Sequence, residues 1–86
     1  MRNATEISAL LHDVRSILDA RRDETGIDLR VPPDGFQEHD GWLTIFVESA
    51  DPTIHAWDYV RTLGDAERVL RAKGVKQVVL LPNVSV

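Results

Sequence analysis

The sequence predicts one small α+β domain in the order α-β-β-β-α-β, a mainly antiparallel sheet of about four strands with two helices packed on one face. Three observations carry this expectation. An apolar stripe at helical spacing opens the chain, a branched and aromatic run lies in the middle, and a short helical pattern precedes a final apolar run.

Residues 4–22 are expected as a helix. Ile7, Leu10, Leu11, Val14, Ile17 and Leu18 recur at spacings of three and four, so they fall on one face. Asn3 is a suitable N-cap, and Glu6 completes a capping-box pattern. Arg21 and Arg22 stand in the last turn, where cations favour the helix dipole, and Gly26 follows. Residues 27–31 alternate apolar and polar, the pattern of a short half-buried strand. Pro32-Pro33-Asp34-Gly35 ends it. Phe36 to His39 could form another extended piece before Asp40-Gly41, a dipeptide suited to a tight turn.

Residues 42–48 form the clearest strand, with apolar groups on both faces. Residues 54–61 fit two patterns. Alternation and aromatics suggest a strand, while Ile54, Trp57 and Val60 would also share one side of a short helix. The strand is the favoured reading. Residues 65–73 are expected as the second helix, with Asp65 as N-cap and Gly74 beyond its end. Residues 75–81 form the last strand, ending at Pro82. The continuous apolar run Val78 to Leu81 predicts a strand covered on both faces or central in the sheet.

The 86 residues 1–86 suit a single domain with no second core. A chain this small buries roughly 60 to 65% of its unfolded surface, so stability gained from a partner would matter. Apolar residues are 43% and charged residues 28%, ordinary for a globular protein. Cysteine is absent, which excludes disulfides, thiolate metal sites and a cysteine nucleophile. The absence of disulfide staples, with an N-terminus lacking a signal-like apolar run, leads to an expected cytoplasmic setting. No apolar run reaches the length of a membrane span.

Chemistry-bearing motifs are sparse. His12-Asp13, His39-Asp40 and His55 with Asp58 each supply only two ligand types, short of a zinc set, so no metal site is expected. No Gly-x-Ser-x-Gly and no Gly-rich phosphate loop occurs, so no catalytic residue and no cofactor is assigned. The net charge is −4, and the densest cationic group, Arg68, Arg71, Lys73 and Lys76, is diluted by Asp65 and Glu67. This argues against nucleic acid as a partner.

One feature suggests binding. Alternation puts Trp42, Thr44, Phe46 and Glu48 on one side of their strand and Leu43, Ile45 and Val47 on the other. If residues 54–61 pair as a strand, His55, Trp57, Tyr59 and Arg61 join the first set, and four of the five aromatic residues share one face. The expected function is a small protein-interaction or regulatory module, homodimeric through that face, with Trp42, Phe46, Trp57 and Tyr59 as anchors and His55 and Arg61 at the rim. The alternatives are a small enzyme or ligand-binding domain with His55 in a pocket, and a single-stranded nucleic-acid binder using the aromatics as stacking platforms.

Overall fold

In the computed structural model, which describes residues 3–51 and 53–83, the chain opens with the helix that its apolar spacing predicts. Helix α1 spans Ala4–Thr25. The Asn3 side-chain oxygen accepts the Glu6 N–H at 2.8 Å, and the Asn3 side-chain amide donates to the Glu6 carboxylate at 3.4 Å. The helix runs three residues past the expected end. It stops at Gly26, whose φ of 77° is left-handed and whose N–H reaches the Arg22 carbonyl at 2.8 Å. Leu11, Val14, Ile17 and Leu18 are its buried stripe.

Three strands follow. β1 is only Leu29–Arg30, β2 is Phe36–His39 and β3 is Trp42–Ser49. β1 is shorter than expected because its partner, β3, ends at the matching register, Leu29 against Ser49. The next carbonyl, that of Val31, accepts instead from the Arg15 guanidinium on α1. Gly35 is buried where the chain turns, and a side chain there would lie 2.9 Å from Pro32 Cδ and 3.1 Å from the Phe46 carbonyl. Asp40 and Gly41 both have positive φ, 52° and 82°, which gives a two-residue hairpin turn between β2 and β3.

Residues 54–61 are not a strand. Helix α2 covers Ala56–Ala72, so the second helix starts nine positions before the expected Asp65. The helical period decides this, because Thr62, Leu63, Ala66 and Leu70 fall on one inward stripe. Asp65 lies inside the helix and pairs with Arg68 at 2.8 Å. Gly64 is also interior, in open space. The end of α2 follows expectation. Gly74 N–H bonds to the Arg71 carbonyl and Val75 N–H to the Leu70 carbonyl, both at 3.0 Å, a Schellman closure with Gly74 at φ 86°.

Strand β4, Val78–Pro82, then joins β3 in parallel. The order α-β-β-β-α-β therefore holds, with β2 standing where a strand at 54–61 was expected. Each described strand pairs with β3, antiparallel for β1 and β2 and parallel for β4. The Phe46 N–H on β3 and the Ala50 N–H just past its end reach the Gly35 and Asp28 carbonyls, while the Leu43 N–H and the Val47 carbonyl meet Gln77 and Asn83. Thus β1 and β2 lie along one side of β3 and β4 along the other.

Leu43, Ile45 and Val47 are fully buried under both helices, with Leu29, Val78 and Leu80 from the neighbouring strands. Among the described residues no helix lies on the opposite sheet face. The least dimension of the backbone is 18 Å, the thickness of two layers.

β4 is an edge strand, and it is guarded. The Glu67 carboxylate accepts the outward Leu80 N–H at 2.9 Å and also binds Arg71 at 3.2 Å. Pro82 carries no donor at all.

Two stability changes follow from this packing. Glu67→Leu leaves the Leu80 N–H without its acceptor and should destabilise the domain by about 1 to 3 kcal/mol, with Glu67→Gln closer to wild type. Gly64→Ala should stabilise it by about 0.5 to 1 kcal/mol, since the added methyl meets nothing and the unfolded chain loses freedom. Urea unfolding midpoints with unchanged slope check both.

Candidate interaction surface

The register of the sheet places one set of side chains on the uncovered face. Thr44 stands beside Val79 and Gln37, Phe46 beside Leu81, and Trp42 beside His39. Arg30 and Glu48 pair at the far end. Trp42 is 50% exposed and Leu81 42% exposed, while Phe46 and Val79 are half-buried. An apolar stripe thus crosses β3 and β4 with polar groups around it.

Two of the six expected binding residues, Trp42 and Phe46, sit on this stripe. The other four do not join them, because they belong to α2 and its entry rather than to a strand. A helix turns successive side chains by about 100°, so residues two apart point to different sides. His55 precedes the helix as its N-cap, exposed and without a side-chain capping bond. Trp57 is 73% exposed on the outer side of α2. Arg61 is exposed and lines a groove of about 440 Å3 between α1 and α2, with Arg21, Thr25, Asp58 and Asp65. Tyr59 turns inward, and its hydroxyl donates to the Val47 carbonyl.

Val79 and Leu81 were missed as surface residues. The run Val78 to Leu81 reads as covered on both faces or central in the sheet, yet β4 pairs with β3 alone and, of this run, only Val78 and Leu80 are buried. The Pro82 that ends the run is the sequence signal for an edge strand.

Tyr59 ties α2 to the end of the sheet. Burial raises the pKa of its phenol, and the Glu48 carboxylate pushes the same way, while the backbone N–H groups of Asn83 and Ser49 draw it partly back. Glu48 itself accepts from the Asn83 side chain at 3.2 Å. In the preceding loop Asp51 accepts from the Thr53 hydroxyl at 2.7 Å and its N–H at 2.9 Å, which holds the Asp51 carboxyl below its ordinary pKa.

Two further clefts border the sheet. One of about 290 Å3 is lined by Trp42, Arg71, Val75, Lys76, Gln77 and Val78. Another of about 280 Å3 lies among Pro32, Asp34, Gly35, Phe46, Glu48 and Asn83. His55 lines none of the three clefts. Among the described residues no three His, Asp or Glu side chains gather as a metal set. His39 and Asp40 meet at 3.2 Å, both strongly exposed. No helix of the described residues is long and apolar enough to cross a membrane.

The Tyr59 environment has a pH signature. A phenol pKa raised by folding contributes stability that is complete below the unfolded value of about 10 and is lost as pH rises through the folded value. Ultraviolet absorbance titration should therefore give a phenolate midpoint above that of the urea-unfolded chain. Glu48→Gln should lower the folded midpoint.

No protein-family model, curated protein or solved structure matches this chain.

Proposed function

We propose that this domain is a small protein-interaction module of the cytoplasm that self-associates through its uncovered sheet face. The observation that carries the reading is the apolar stripe of Trp42, Phe46, Val79 and Leu81, left open in a chain whose other sheet face is fully covered by helices. A sheet buried on one side only, with an indole and a leucine half in water, gains most from a second apolar layer. Aromatic anchors ringed by polar groups, here Gln37, His39, Arg30 and Glu48, match the composition of contact surfaces.

A second copy of the chain is the simplest such layer. The two edges do not invite strand addition: β4 is guarded by Glu67 and Pro82, and the β1–β2 side is broken by the Pro32 to Gly35 turn. Association through the face, sheet upon sheet, is what remains. The lack of cysteine supports a reducing compartment as its setting.

Sedimentation equilibrium should give twice the 9.7 kDa chain mass at micromolar concentration. Leu81→Glu would place a carboxylate in the apolar contact and should weaken association by roughly tenfold or more, leaving far-ultraviolet circular dichroism unchanged. A wild-type monomer up to millimolar concentration overturns the proposal.

A further inference from the structure

The groove of about 440 Å3 between the helices shares no residue with the open stripe. Asp58, Arg61, Thr62 and Asp65 stand at positions i, i+3, i+4 and i+7 of α2, so one side of that helix makes one wall. Arg21 and Thr25, one turn apart at the end of α1, make the other. Ile27, just past Gly26, is the apolar lining residue and is itself packed against the core. The volume falls within the range of small-molecule sites, roughly 300 to 1,000 Å3.

Most polar groups of this groove are already engaged. The Thr62 hydroxyl donates to the Asp58 carbonyl at 2.8 Å. The Thr25 hydroxyl donates to the Arg21 carbonyl at 2.7 Å and accepts the Ile27 N–H at 3.2 Å. The Arg21 side chain pairs with Glu24 at 3.1 Å, and Asp65 pairs with Arg68 at 2.8 Å. Two charges are left over. Among the described residues neither the Asp58 carboxylate nor the Arg61 guanidinium has a partner, and they do not pair with each other. Asp58 is half-buried, so its carboxylate has given up part of its water without a counter-charge in return.

We propose that this groove binds a free α-amino acid with an apolar side chain, its ammonium on Asp58, its carboxylate on Arg61 and its side chain over Ile27. Residues three apart on a helix stand about 5 to 6 Å apart at Cβ, a span that the two charged groups of one α-carbon can bridge. The planar guanidinium fork suits a carboxylate, and the Asp58 oxygens accept from an ammonium. A zwitterion satisfies both leftover charges at once. A simple anion or a simple cation would leave one of them without a partner. The two cations and two carboxylates that line the groove balance, so no excess of either sign favours a polyanion or a polycation.

Titration of the nitrogen-15-labelled chain with leucine, followed by nuclear magnetic resonance, tests this. Leucine should shift the Thr25, Ile27 and Thr62 amide signals saturably. N-acetyl-leucine lacks the ammonium and leucinamide lacks the carboxylate. Each should bind roughly fivefold or more weakly than leucine, the worth of one modest ion pair. Glycine should also bind more weakly, for want of a side chain to cover Ile27. Two substitutions separate the contacts. Asp58→Asn should bind leucine and N-acetyl-leucine alike, and Arg61→Gln should bind leucine and leucinamide alike. Leu81→Glu should leave leucine binding intact whatever it does to self-association, so the two proposals fail separately. The absence of a saturable shift, equal affinity for leucine and its blocked forms, glycine binding as tightly as leucine, or discrimination that survives both substitutions overturns the proposal.

Discussion

The backbone pairing of β3 is the constraint on which the rest of this domain depends. β1 and β2 use one side of it, β4 uses the other, and no other strand pairing joins the described elements. Its alternation therefore fixes both faces of the whole sheet at once. Leu43, Ile45 and Val47 go under the helices and are fully buried, so Trp42, Thr44, Phe46 and Glu48 must go to the opposite face. A one-residue slip would expose the three core residues and bury a tryptophan and a glutamate, a loss that locks the register. The Asp40-Gly41 turn, with two positive φ values, sets the same register from the local side.

The helices complete this arrangement rather than merely covering it. α2 reaches the sheet at both ends. Its Tyr59 hydroxyl meets the Val47 carbonyl, and its Glu67 carboxylate meets the Leu80 N–H. The first adds a second donor to a carbonyl that already accepts the Asn83 N–H, and the second satisfies a backbone group on the open edge of β4. Glu67 then holds Arg71, so one side chain links edge protection to the wall of the cleft that Trp42 lines. The apolar stripe and this cleft are both consequences of a sheet with a guarded edge and one uncovered face.

Much of this was legible in the residues, and one segment was not. The first helix, with its Asn3 cap and Gly26 stop, follows from periodicity and capping chemistry alone. So do β3 and the Gly74 closure of α2. Residues 54–61 carry both periods, and Gly64-Asp65 resembles a break followed by a cap. Burial resolved the ambiguity. With Leu63, Ala66 and Leu70 packed on the sheet, the helix continues through Gly64 and extends back to Ala56. The packing of that inward stripe exceeds the modest propensity cost of one interior glycine. This is also why the aromatic set divides. Tyr59 faces inward and Trp57 outward because the segment turns as a helix.

By itself the sequence determined the class, the order of elements and the two faces of the central strand. These follow from local period and from capping and turn residues, which act over a few positions. The tertiary structure decided which partners lie beside β3, that β4 is an edge strand open on one face, and which aromatics share a surface. Those outcomes depend on pairing between distant segments, such as Leu43 with Val78 and Leu80 with Glu67, and no local pattern encodes the choice of a remote neighbour.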